Sequence, residues 1–222
     1  MISVAIDGPS GAGKSTLAKR LARELGYVYV DTGAMYRVIG LCALRRGIDP
    51  ASEVQVKEIL PDIHMELRYV EGTQRVLLNG EDVSEAIRQE QVGMATSAVA
   101  AHPSVRAFLL DLQRQMAQTH NILMDGRDIG TVILPHATVK IFLTASAQAR
   151  AQRRLLELQQ KGVQTDLQTV LGDIIQRDEQ DMNRAVAPLK QAEDAVLVDT
   201  SPLDFEQSFQ ALRSIILSRV QE

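Results

Sequence analysis

The segment "ISVAIDGPSGAGKS", Ile2 to Ser15, leaves this chain few folds to choose from. "ISVAI" is a short apolar run of the kind that forms a strand buried on both faces. It leads into the spacing G-x-x-x-x-G-K-[ST] from Gly8 to Ser15. A turn that wraps a polyphosphate must offer its backbone N–H groups to oxygen, and glycine removes the side chains that would stand in the way. The helix after the loop adds partial positive charge at its N-terminus. Lys14 brings a mobile full charge for the β- and γ-phosphates, and Ser15 brings a hydroxyl for Mg²⁺. Strand, loop and helix in this order bind a nucleoside triphosphate. The candidate contacts to the triphosphate are Gly8, Pro9, Ser10, Gly11, Ala12, Gly13, Lys14, Ser15 and Thr16.

The rest of the chain extends that unit. Leu17, Leu21 and Leu25 fall at helical spacing in Lys14 to Leu25, and Gly26 is a stop signal. Tyr27 to Asp31 reads as a second strand and Ala34 to Arg46 as a helix ended by Gly47. Between Ile63 and Val83 the pattern changes to short antiparallel strands, "HMELRYV", "QRVLLNG" and "EDVS". A turn at Gly72 and an Asn79-Gly80 hairpin turn join them. Helices are expected over Ser84 to Ala101 and Pro103 to Gln118, then strands over Asn121 to Asp125 and Val139 to Leu143. Ser146 to Gln160 reads as a helix, and another starts at the capping pair Thr165 and Gln168. The last strand is Ala195 to Asp199. Ser201, Pro202 and Asp204 open a final helix with the apolar stripe Phe205, Phe209, Leu212, Ile216 and Val220. The expected fold is α/β: a P-loop NTPase-type parallel sheet of five strands flanked by helices. It forms a single domain, 1–222, with a small antiparallel β insertion at 60–84.

Composition narrows the partners. The 222 residues carry a formal net charge of −4, whereas phosphate backbones select basic surfaces, so no nucleic acid partner is expected. Cys42 is the one cysteine, which rules out an internal disulfide and fits a reducing compartment. No apolar run approaches the ~20 residues that span a bilayer. "MISVAID" has no basic start and meets Asp7 at once, unlike a signal peptide. We therefore expect a cytoplasmic protein, without membrane contact, and a monomer, since nothing calls for an obligate partner. His64, His102, His120 and His136 are scattered without metal spacing.

A bound triphosphate leaves two routes open, transfer to water or to a second substrate. No N-K-x-D motif of a guanine-reading switch is present. Arginines sit at or beside element ends: Arg37, Arg106, Arg127, Arg150, Arg153, Arg154, Arg177 and Arg184. Guanidinium groups clamp phosphate oxygens in pairs, so several of them suit two phosphorylated ligands facing each other. A phosphate monoester acceptor is already ionised near neutral pH and needs no general base, only alignment and charge neutralisation. "ILMDGRDIGTVILP", Ile122 to Pro135, concentrates this chemistry. It places Asp125, Arg127 and Asp128 just past a buried strand, the edge of a parallel sheet where ligands bind. A different acceptor, or a regulatory nucleotide-binding module, stays compatible with these features.

"GPSGAGKS", "DTGAMYR", "DGRDIGTVILP" and "RDEQDMNRAVAPL", in that order along essentially the whole chain, resemble the bacterial cytidylate kinase family. The resemblance implies transfer of the γ-phosphoryl group of ATP to CMP or dCMP, with Mg²⁺. By the same resemblance Ser97, Arg106 and Asp128 face the polar edge of cytosine. Arg37, Arg127 and Arg184 hold the acceptor phosphate, and Arg177 and Asp181 lie near the sugar. Thr32 completes the CMP residues. Lys14, Arg127 and Arg184 are then the catalytic residues. Ser15 and Asp125 are the metal residues, Asp125 reaching Mg²⁺ through water. Residues 148–165 resemble the family's lid, which carries Arg150, Arg153 and Arg154. Arg154 is the candidate for ATP, and the β insertion belongs to the acceptor-binding region.

Overall fold

The structure is a computed structural model that describes residues 1–70 and 73–220. The turn expected at Gly72 lies outside the described residues. From the start the elements are β1 (Ser3–Asp7), α1 (Lys14–Leu25), β2 (Val28–Asp31) and α2 (Thr32–Arg45). Next come α3 (Glu53–Ile59), β3 (Met65–Val70), β4 (Thr73–Leu78), β5 (Glu81–Asp82), α4 (Glu90–Val99) and α5 (Pro103–Thr119). Beyond them lie β6 (Ile122–Gly126), a π-helical turn at Ile129–Ile133, and β7 (Val139–Thr144). The last elements are α6 (Ala147–Gln160), α7 (Leu167–Asn183), β8 (Val196–Asp199) and α8 (Phe205–Val220). They divide into two compact units, residues 1–30 with 119–222, and residues 31–118.

The first unit is built on a five-stranded parallel sheet in the order β2-β6-β1-β7-β8. β1 is central and buried. Ile6 pairs with Asp125 of β6, and Asp7 pairs with both Gly126 of β6 and Phe142 of β7. Val4, Ile6, Leu123, Ile141 and Leu143 form one core with Leu17 and Leu21 of α1 and Phe209, Leu212 and Ile216 of α8. Each large aliphatic or aromatic side chain buried this way contributes about 1.5–3 kcal/mol. The stripe expected on α8 is therefore the buried face, with Val220 packed at its rim. Phe205 stays 45 % exposed, its ring 5.3 Å from the Arg20 guanidinium. Asp204 caps α8 by accepting from Gln207 N (2.8 Å), while Gln207 Oε1 accepts from Asp204 N (3.0 Å).

One cap differs from expectation. α7 is opened by Asp166, whose Oδ1 accepts from Gln168 N and Thr169 N at 2.9 Å each, and not by a Thr165–Gln168 pair. A carboxylate takes two orphan amides at once and complements the helix dipole, so it wins over the hydroxyl beside it. Asp166→Ala should lower the urea midpoint with unchanged m. An unchanged midpoint would reject the cap.

The second unit packs α2 against α4, with Gly40 on the contact. A Cβ there would stand 3.1 Å from Thr96 N. β3, β4 and β5 form the antiparallel sheet, and Asn79 (φ 51) and Gly80 (φ 87) make the hairpin turn between β4 and β5. The helix expected across Ser84 to Ala101 is two pieces, a 3₁₀ turn at Ala86–Arg88 and then α4. Gln89 between them is extended (φ −62, ψ 148). Sequence reasoning misses α3, because seven residues are too few to display a helical period and the only signal is the capping spacing of Ser52 and Gln55. It is fixed by Glu53 Oε1, which accepts from Ser104 N (3.0 Å), and His102 lies 2.8 Å from the Pro50 carbonyl just before it. Cys42 is buried in α2, and burial pushes its thiol above its ordinary range. No described helix is long and apolar enough to cross a membrane.

Candidate active site

The loop from Gly8 to Gly13 joins β1 to α1. Gly11 and Gly13 carry positive φ (76 and 90), and Gly13 caps α1 without a side-chain bond. Lys14 is 5 % exposed and its Nζ donates to the Pro9 carbonyl (2.7 Å). Burial and the Arg127 charge push the ammonium well below its ordinary range, against the pull of Asp125, Asp7 and Asp181.

Asp125, near the C-terminal end of β6, is also buried. Its Oδ2 accepts from Ser15 Oγ (2.8 Å) and its Oδ1 from the Tyr29 hydroxyl (2.7 Å). Ser15 and Asp125 thus place two hard oxygen donors side by side at the mouth of the loop, a donor set suited to Mg²⁺.

One step further along, the charges interlock. Arg127 Nε donates to Asp181 Oδ2 (2.7 Å). Arg184 reaches Asp181 Oδ1 (3.7 Å) and Asp128 Oδ1 (3.4 Å), and its Nε donates to the Ala187 carbonyl (2.6 Å). Arg127, Arg177 and Arg184 together hold the Asp181 carboxyl below its usual range although burial opposes them. Arg127, Asp128, Arg177, Asp181 and Arg184 are therefore brought together, and the pairing of Gly126 with Asp7 sets Arg127 beside the start of the loop.

The lid arginines separate into different environments. Arg150 is buried. Its Nε donates to the Ala145 carbonyl (2.9 Å), its Nη1 to the Ser10 carbonyl (3.0 Å), and it pairs with Asp178 through both Nη atoms. Arg153 Nη2 donates to the Thr200 carbonyl (2.6 Å). Arg154 is 47 % exposed and pairs with Glu157 (3.1 Å).

The remaining expected residues belong to the second unit. Thr32, buried, and Arg37 lie on α2, where Arg37 Nη1 donates to the Ile87 carbonyl (3.0 Å). Arg106, near the start of α5, donates to the Ala100 carbonyl (3.2 Å), and its guanidinium sits 5.6 Å from the Tyr36 ring centre. Ser97 is an exposed residue of α4 whose Oγ donates to the Gly93 carbonyl (3.4 Å).

Sequence reasoning passes over two participants and one role. Tyr29 holds Asp125, and Asp7 binds two amides of the π-helical turn. Arg150, expected as a lid residue, braces the loop at Ser10. The one available signal is Asp7 itself, a carboxylate ending a strand buried on both faces.

The family model described as "Cytidylate kinase" matches residues 4–217. A cytidylate kinase of Anoxybacillus flavithermus is 49% identical over 220 residues, covering 99% of this chain and 98% of that protein. One from Syntrophotalea carbinolica is 48% identical over 220 residues, covering 98% and 93%. Among solved structures, an uncharacterized protein from Eubacterium ventriosum aligns with a TM-score of 0.55 at 13% identity, over 98% of each chain, a likeness of fold alone. With the loop, the Arg127–Asp128 turn and the Arg184 segment all inside the matched span, the chain belongs to the cytidylate kinase family.

Proposed function

We propose that this protein transfers the γ-phosphoryl group of ATP to CMP or dCMP, giving ADP and CDP or dCDP. The observation that carries this reading is the adjacency of β1 and β6. The loop for the donor comes after β1 and the arginine turn for the acceptor after β6, and the two strands are hydrogen-bonded neighbours in one parallel sheet. Parallel neighbours lie ~4.8 Å apart, so the segments leaving their C-terminal ends meet at one edge.

In the reaction an ionised oxygen of the acceptor phosphate bonds to the γ-phosphorus, and the bond to the β-bridging oxygen breaks to release ADP. Lys14, Arg127 and Arg184 neutralise the charge shared among the three groups. Arg37 joins them on the acceptor phosphate, Arg177 and Asp181 serve the sugar, and Thr32 completes the CMP contacts. Asp128 accepts from the cytosine amino group, while Arg106 and Ser97 donate to its acceptor atoms. Ser15, with Asp125 acting through water, would hold Mg²⁺, which when bound neutralises the β- and γ-phosphate oxygens. Arg154 of the 148–165 lid is assigned to ATP. Its solvent-screened pair with Glu157 is a weak one, cheaply exchanged for phosphate. The segment 60–84 is assigned to the acceptor side. The protein acts as a cytoplasmic monomer on small molecules, without nucleic acid, in keeping with its net charge of −4.

Coupled ADP release across CMP, dCMP, UMP, AMP and dTMP tests the assignment. CMP and dCMP should lead, and preference for AMP or dTMP would overturn it. ATP turnover that ignores added CMP would point to a regulatory nucleotide-binding module. Within the same panel, Asp128→Ala should lower the CMP-over-UMP preference by about tenfold or more, because uracil presents a carbonyl where cytosine presents an amino group. A preference that stays put removes the base-reading role of Asp128.

A further inference from the structure

Asp7 ends β1 immediately before the phosphate loop, is buried, and has no part in the chemistry above. Its two carboxylate oxygens are both committed. Oδ1 accepts from Ile129 N and Oδ2 from Gly130 N, each at 2.7 Å. These are the two amides just after Asp128. The Asp128 carbonyl accepts in turn from Val132 N (2.9 Å) and Ile133 N (3.2 Å), within the π-helical turn. The main chain around Asp128 is thus pinned on both sides, by Asp7 across the sheet and by the turn itself. π-helical turns are rare and concentrate at functional sites. The slot is tight as well. A Cβ on Gly130 would stand 3.2 Å from Lys140 Cδ and 3.3 Å from Asp7 Oδ2. Asp7 is a costly anchor, since burial pushes its carboxyl up to about 6 despite the two amide bonds, with Asp128 raising it further and Lys14 opposing. Any pair of small polar groups could close a turn, whereas a buried carboxylate fixes two amides in one plane.

Building on the assignment of Asp128 to the cytosine edge, we propose that Asp7 is a positioning residue for acceptor choice. Its two-pronged hold on Ile129 and Gly130 aims the Asp128 carboxylate, so Asp7 sets cytosine selectivity without touching the nucleotide. Asparagine at this position keeps the volume but offers one acceptor and turns a donor toward the second amide, so Asp7→Asn breaks the grip selectively.

The test measures kcat/KM for CMP and UMP in the full chain for wild type, Asp7→Asn, Asp128→Ala and the double variant. In Asp7→Asn the CMP-over-UMP ratio should fall about tenfold with a raised KM for CMP, while KM for ATP stays within about twofold. In the Asp128→Ala background the same change should add less than about twofold, since both act through one carboxylate. Asp128→Ala losing the preference while Asp7→Asn keeps it would overturn the positioning role alone, as would an undiminished Asp7→Asn effect in the double variant. Asp128→Ala keeping the preference would remove the base reader and the positioning role with it. If Asp7→Asn does not fold by circular dichroism, Gly130→Ala decides. It crowds the same slot with the carboxylate intact, and should lower the ratio several-fold. An unchanged ratio there overturns the proposal.

Discussion

Lys14→Ala is expected to lower kcat by on the order of 10³-fold at saturating ATP and CMP, measured by coupled ADP release. The lysine is placed where its charge is most useful and least comfortable. Burial and Arg127 both disfavour its ammonium, and its Nζ settles on the Pro9 carbonyl, an acceptor without charge. Two phosphate groups brought to this point relieve that mismatch, most of all when charge moves onto the oxygen between the β- and γ-phosphorus. Truncation removes the interaction where it is strongest, so kcat should fall along with kcat/KM. A kcat within about threefold of wild type would take Lys14 out of the chemistry, whatever the loop binds.

Local signals make much of this structure readable from its residues. The P-loop unit needs only glycine chemistry and a period of leucines, and α1 runs over Lys14–Leu25 as expected. The Asn79-Gly80 turn is legible because few residue pairs accept positive φ twice. The illegible features depend on partners far away in sequence. "DIGTVILP" reads as an apolar continuation. It turns π-helical at Ile129–Ile133 around amides held by Asp7, 122 and 123 positions earlier. The break at Gln89 is likewise a backbone change, with no glycine or proline at the position.

The candidate site shows the same division. Residue type and position at a strand end pick out Lys14, Ser15, Asp125, Arg127 and Asp128, and these do gather in one unit. Sequence cannot rank the lid arginines, because Arg150 and Arg154 lie on one helix and only packing separates them. One is buried under the loop against Asp178 and the other faces solvent beside Glu157. Tyr29 escapes for a related reason: as an aromatic in a strand it reads as core, yet its hydroxyl ends on the carboxylate assigned to the metal.

Gly8→Ala is expected to be as damaging to the fold as Lys14→Ala is to turnover. Access to backbone amides already favours glycine at this position, and the structure adds a harder constraint. Its φ of 147 is disfavoured for any side chain. A Cβ would overlap the Leu143 carbonyl oxygen and stand 2.9 Å from the carbonyl carbon and 3.4 Å from the nitrogen. These are backbone atoms of β7, hydrogen-bonded to β1, so no rotamer change relieves the overlap. Either the central strand pair must part or the loop must leave its path. The expected cost is on the order of 4 kcal/mol, a fall in Tm of roughly 10 °C for a chain of this size. Gly26→Ala is the matched control, with φ 69 but nothing within 4 Å of the new Cβ. It carries the conformational penalty alone, about 1–2 kcal/mol. If the two variants melt within about 2 °C of each other, close approach to β7 is not what the loop's first glycine is for.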